Sequence, residues 1–146
     1  MATYDCEKIV KYVLGEMERR LVVNKPHLVH IIQHIENDIS RSETNEFIKQ
    51  MVVEKKIDEH LALSKREKPY SFYTLRTETN SFAKMISRLL ETLRRKKELS
   101  VPDAARLIGY SPLIVRTLLT HLLLEGIVDY HGDLDSPVFY VPWDAK

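Results

Sequence analysis

Lys65, Arg66 and Lys68 stand together in the run Ser64-Lys65-Arg66-Glu67-Lys68-Pro69. Cations grouped on one loop can neutralise phosphates, a salt-sensitive interaction that does not depend on base sequence. The run Arg94-Arg95-Lys96-Lys97 is also basic. It closes an apolar helical stripe, where cations complement the helix dipole, so a solvated helix end accounts for it. His27, His30 and His34 share one helical face, with His30 and His34 at an i, i+4 spacing that can hold a metal. No cysteine is near them, and the only carboxylates at hand are Glu36 and Asp38 in the following loop. A zinc site takes three or four protein ligands, so these histidines read as solvated and no metal is expected. His121 and His131 stand alone and read as structural.

The chain has no nucleophile elbow, no phosphate-binding glycine loop and no HExxH pattern, and it holds only four glycines. Neither enzymatic activity nor a cofactor is therefore expected. Tyr70, Phe72, Tyr73, Phe139, Tyr140 and Trp143 fall in or just after β-prone runs, where aromatics mostly pack against helices. No basic groove around them argues for base stacking.

These residues must be positioned by a chain of 146 residues, enough for one ordinary domain or two very small ones. Hydrophobic content of 44% and charged content of 29% are those of a soluble globular protein. The 22 basic and 21 acidic residues leave a net charge of +1, well short of a sequence-independent nucleic-acid coater. A local basic patch remains compatible with that balance. No apolar run approaches the roughly 20 residues of a transmembrane helix, and the start MATYDCEKIV has no signal-peptide pattern. The single Cys6 can form no internal disulfide, which fits a reducing compartment. A cytoplasmic protein with no membrane partner is the expectation.

Apolar spacing then sets out the elements. Cys6, Ile9, Val10, Val13, Leu14 and Met17 share a face and predict a first helix from about Asp5 to Arg20. Leu21-Val22-Val23 is β-prone, and Pro26 opens a second helix with a stripe of Leu28, Ile31, Ile32 and Ile35. Ser40-Arg41-Ser42-Glu43 fits a capping box, with Ile48, Met51 and Val52 inward on the helix behind it. Ile57 to Leu63 and Tyr70 to Leu75 read as a hairpin. Thr79 or Asn80 can cap a fourth helix, whose stripe is Phe82, Met85, Ile86, Leu89, Leu90 and Leu93. Leu99 can start a short strand before Pro102. Pro102 to Ile108 reads as a short helix, Gly109-Tyr110 as a turn, and Ser111-Pro112 as the cap and first residue of another helix. Gly126 can end that helix, and Ile127 to Tyr130 with Pro137 to Val141 form a second hairpin. The two halves align as a weak repeat. Pro26 matches Pro102; Ile48, Val52 and Ile57 match Leu118, Leu122 and Ile127; Pro69 to Tyr73 matches Pro137 to Tyr140.

The run VPDAARLIGYSPLIVRTLLTHLLLEGIV, with the hairpin behind it, resembles the helix-turn-helix and wing of the winged-helix superfamily over the last third of the chain. With the repeat, the resemblance implies a mainly α fold with small β-hairpin wings, in two tandem winged-helix lobes at 1–76 and 77–146. It also implies duplex DNA as the partner and transcriptional regulation as the role, with the third helix of a lobe in the major groove. On that geometry the outward face of the second lobe's third helix carries Leu113, Arg116, Thr117, Thr120 and Leu124. Arg116 could pair with guanine or phosphate, and Thr117 and Thr120 with phosphate or a thymine methyl, beside the Lys65-Arg66-Lys68 wing. Asp133 and Asp135 in the other wing would repel phosphate, as would Glu43, Glu46 and Glu54 beside Gln50 on the first lobe's third helix. Leu113 and Leu124 read as a protein contact. Some tandem winged-helix proteins act instead as interaction scaffolds, such as kleisin-binding partners in chromosome segregation or subunits of polymerase and membrane-sorting complexes. A third arrangement combines the two, with DNA on the first lobe and homodimerisation through the second.

One test needs only the histidine spacing. Added zinc is expected to leave the melting temperature unchanged, since a metal bound selectively to the native state would raise it. A zinc-dependent stabilisation that vanishes in His30→Ala would contradict this.

Overall fold

The computed structural model describes residues 5–20, 22–76 and 79–142. Leu21 and Trp143, and the side chains of Thr79 and Asn80, lie outside what it describes. The element order is α1 (Cys6–Glu18), β1 (Val23–Asn24), α2 (Lys25–Ile35), α3 (Arg41–Val53), β2 (Ile57–Leu63), β3 (Pro69–Leu75), and then α4 (Thr79–Lys96), β4 (Glu98–Ser100), α5 (Val101–Ile108), α6 (Pro112–Leu124), β5 (Asp129–His131), β6 (Val138–Tyr140). The second half thus repeats the order of the first. Each half closes a three-stranded antiparallel sheet in the same way, β1-β3-β2 and β4-β6-β5. The chain is mainly helical, with two small sheets. Among the described residues no single helix is long and apolar enough to cross a membrane.

Local chemistry explains the helix boundaries. Asp5, Asn24, Ser40, Ser100 and Ser111 each accept a first-turn backbone N–H in their side chains. At α3 the capping box is complete: Glu43 N donates to Ser40 Oγ at 3.1 Å, and Ser40 N donates to Glu43 Oε1 at 3.2 Å. Prolines sit in the first turns of α2, α5 and α6, where no N–H is needed.

The ends of α3 and α6 are solved by the same hydrogen bonds. Lys55 N and Lys56 N donate to Val52 O and Met51 O, while Gly126 N and Ile127 N donate to Leu123 O and Leu122 O. Both are Schellman caps, which put the next residue in the left-handed region. Lys55 adopts φ 61° there and Gly126 φ 77°. With Ser40 aligned to Ser111 and Lys55 to Gly126, Ile48 matches Leu119, Met51 matches Leu122 and Ile57 matches Val128. The repeat is therefore one residue out from the expected pairing of Ile48, Val52 and Ile57 with Leu118, Leu122 and Ile127. Burial agrees, since Val128 is buried and Ile127 only partly. Strand β5 also starts later than expected, at Asp129, because the N–H groups of Ile127 and Val128 still bond to Leu122 O in the cap.

The chain divides into two compact units, and the division does not follow chain order. The first takes the chain through Glu59 and then 71–79. Its core joins Ile9, Val13 and Met17 of α1 to Leu28, Ile31 and Ile32 of α2, Ile48 and Met51 of α3, and Ile57, Tyr73 and Leu75 of the strands. Cys6, expected on that face, is exposed. Tyr73 is buried and donates its hydroxyl to Glu59 Oε2 at 2.8 Å. Burial, and then the neighbouring Glu59 carboxylate, push its pKa well above that of an ordinary tyrosine. The second unit takes His60–Tyr70 and the chain from Asn80 onward. The turn of the first hairpin thus belongs with the second half, where a boundary near residue 76 had been expected. Met85, Leu89, Leu93, Leu99, Ala104, Ile108, Leu118, Leu122 and Phe139 are among its buried residues.

A Cβ at Gly126 would meet no atom within 4 Å, so only its left-handed backbone opposes substitution. Gly126→Ala is expected to destabilise the protein by about 1 kcal/mol, and Lys55→Gly not to destabilise it. Urea unfolding of both variants checks the pair.

Candidate functional site

Helix α6 carries most of the residues expected to make contacts. Its middle is buried on every side: Val115, Thr117, Leu118, Leu119, Thr120 and Leu122 are all buried, Thr120 completely. The turn of the hairpin β2–β3, within the same unit, lies against the face that an amphipathic helix would leave to water. Thr117 Oγ1 donates to Leu113 O at 2.9 Å and receives the Tyr70 hydroxyl at 3.0 Å. His121 Nδ1 meets Leu61 O at 2.9 Å, which places a proton on Nδ1. The His121 ring also meets His60 edge-on, with centroids 5.4 Å apart, and His60 stacks on Phe82 of α4 at 4.7 Å. Thr120 donates to Arg116 O at 3.0 Å.

Thr117 and Thr120 therefore do not lie on an outward face. Their hydroxyls are spent on α6's own carbonyls, and Thr117 is also held by Tyr70 of the hairpin. The missed signal was legible in the sequence. Leu113 to Leu124 carries only one charged side chain, Arg116, and its face opposite the core stripe mixes threonines with Leu113 and Leu124, so that face is only weakly polar.

The other expected contacts are placed as follows. Lys65, Arg66 and Lys68 are exposed on the turn between β2 and β3. That turn is structured: Ser64 Oγ accepts the N–H groups of Arg66 and Lys68, and Ser64 N donates to Lys68 O. Lys65 Nζ is 3.8 Å from Asp135 Oδ1, a solvated pair worth little by itself. Asp133 orders the β5–β6 turn by accepting the N–H groups of Asp135 and Ser136, as turn chemistry in that run implies. Leu113 and Leu124 are exposed, Leu113 at 69%. On α3, Glu43, Glu46, Gln50 and Glu54 are exposed. His34 stacks on Tyr12, with centroids 6.3 Å apart, and no three His, Cys, Asp or Glu side chains gather as a metal site among the described residues.

A cleft of about 460 Å³ opens in the second unit where α5 and α6 begin. Ser100, Val101 and Pro102 form one wall; Pro112, Leu113 and Arg116 form another; Lys65, Asp135, Ser136 and Pro137 complete it. Most of the lining is apolar. Three prolines offer flat rings and no N–H. The first turns of two helices contribute their positive dipole ends. Arg116 is partly buried, and its Nη2 is buried with no hydrogen-bond partner among the described residues. A guanidinium carries five N–H donors, and leaving one buried and unmet costs free energy.

From the end of α5 to the start of α6, Leu107, Tyr110 and the cleft residue Leu113 are exposed within seven residues of chain. Gly109, at φ 87°, makes the sharp turn that separates the two helices. The cleft and this apolar surface together can hold an apolar group and satisfy one anion. No protein-family model and no curated protein sequence matches the chain.

The unmet donor yields a stability test. Arg116→Met keeps the length of the stem and deletes the orphaned guanidinium, so it is expected to stabilise the isolated protein by about 1 kcal/mol. A denaturant midpoint below that of the parent would show that Arg116 is satisfied in solution.

Proposed function

We propose that this is a tandem winged-helix protein that serves as a protein-interaction module. It docks a partner protein on the α5–α6 turn and the adjoining cleft. The observation that carries the reading is the exposure of three large apolar side chains within seven residues: Leu107 near the end of α5, Tyr110 in the turn and Leu113 at the start of α6. Apolar side chains clustered on a surface mark contact sites, and aromatic and leucine anchors beside a pocket are what a partner buries. Support comes also from the repeated element order, the near-zero net charge and the acidic exposed face of α3. The burial of Thr117 and Thr120 removes two of the contacts that a groove-reading α6 would need.

A second reading is favoured by one observation, the exposure of Lys65, Arg66 and Lys68 on a single ordered turn. On it the chain is a DNA-binding regulator that grips phosphate through this turn and reads few bases. Its binding would be strongly salt-dependent.

The two readings separate in one set of measurements. A photo-crosslinking residue replacing Leu113, expressed in the source cells, is expected to trap a discrete protein. That adduct should be lost in Leu107→Asp and unchanged in Lys65→Ala/Arg66→Ala/Lys68→Ala. Labelled duplexes titrated at two salt concentrations should show no saturable binding. The interaction reading is overturned if no protein is trapped and the duplex binds with a salt slope that flattens in the triple variant.

A further inference from the structure

We infer that the cleft at the start of α5 and α6 binds an acidic peptide segment of a protein partner, with one carboxylate on Arg116 and an adjacent apolar side chain against Val101, Pro102, Pro112 and Pro137. The inference rests on the interaction reading above and names the chemistry of its partner.

Charge complementarity sets the anion. Three charged side chains line the cleft, and Lys65 and Asp135 offset each other at 3.8 Å. Arg116 is left as the uncompensated charge, with a buried donor that nothing in the described chain accepts. The first turns of α5 and α6 both border the cleft and add to the positive potential. Leu113, second residue of α6, carries one of the amides that a helix cannot satisfy internally. A planar carboxylate matches a guanidinium edge and can accept from both.

The walls set the rest of the ligand. Proline rings, Val101 and Leu113 offer little to a fully hydrated ion, so the anion must arrive attached to an apolar body. A volume of about 460 Å³ holds one or two side chains, not a whole helix. Leu113 lines the cleft and is itself exposed, and Tyr110 and Leu107 are exposed within the six residues before it. A ligand that fills the cleft and also covers those side chains must extend past the rim, as a polypeptide does.

The test is to pan a random dodecapeptide phage library against the whole protein. The strongest binders are then synthesised with amidated C-termini and titrated by fluorescence anisotropy. Enriched sequences should share Asp or Glu next to Leu, Ile or Phe. Replacing that carboxylate by its amide should weaken binding at least about tenfold, the scale of a charge-assisted hydrogen bond. Arg116→Met should weaken the acidic peptide by a similar factor and leave the amide peptide unchanged, the coupling expected of a direct pair. Arg116→Lys, which keeps the charge but not the fork, should fall between them. The inference fails if no peptides are enriched, if the enriched ones lack an acidic residue, or if the two losses add independently. It fails also if hexanoate or a DNA duplex displaces the peptide at equal concentration, since a small carboxylate or phosphate would then be the ligand. Photo-crosslinking at position 113 is read separately. A trapped protein without acidic peptide binding overturns this inference alone, whereas loss of both removes the interaction reading as well.

Discussion

The second unit depends on the burial of helix α6 from all sides. A helix with the composition Pro-Leu-Ile-Val-Arg-Thr-Leu-Leu-Thr-His-Leu-Leu-Leu cannot leave one face to water without exposing a row of leucines. One side is taken up by the unit's own core around Leu118, Leu122 and Phe139. The other receives the hairpin turn 60–70, held by two polar contacts, Tyr70 to Thr117 and Leu61 O to His121. Each contact joins groups that would cost free energy if buried alone, so the apolar packing and the polar pairs reinforce each other. A segment far back in the chain is thereby made part of the second unit.

The two halves show how one backbone plan serves different ends. Both third helices start on a serine cap and stop in a Schellman turn. Helix α3 is amphipathic, burying Thr44, Ile48 and Met51 and presenting Glu43, Glu46, Gln50 and Glu54 to water. Helix α6 has Ile114, Thr117, His121 and Glu125 at the corresponding positions, and Thr117 and His121 accept a cover. The same difference reaches the caps. Glycine takes the left-handed position after α6, whereas Lys55 occupies it after α3 at a small conformational cost.

Against this well-satisfied background Arg116 stands out. Threonine hydroxyls, histidine nitrogen, serine caps and Asp133 all find partners, and a buried donor of Arg116 does not. It lies in the first half of α6, in the cleft lined by Leu113, which is exposed. The part of the helix that is fully covered contributes structure. The part that is left open concentrates an apolar rim, two helix starts and a free charge, which makes it the candidate site.

Much of the architecture was legible in the residues, because its causes are local. Serine, asparagine and aspartate caps, first-turn prolines and Gly126 mark helix ends through hydrogen bonds to their nearest neighbours. The stripes Leu28-Ile31-Ile32 and Met85-Leu89-Leu93 mark buried faces through periodicity alone. The exposed cations Lys65, Arg66 and Lys68 and the exposed Leu113 could also be read, since a turn and a helix start have little chance of being covered. The tertiary structure decided the rest. Periodicity can say that Thr117 and Thr120 lie opposite the core stripe, but not that both are buried or that Tyr70, some fifty residues earlier in the chain, meets Thr117. Nor could it show that a donor of Arg116 is buried and unmet. These depend on which distant groups arrive at the same place, and that is set by the closing of the second unit around α6, not by any property of the segments taken singly.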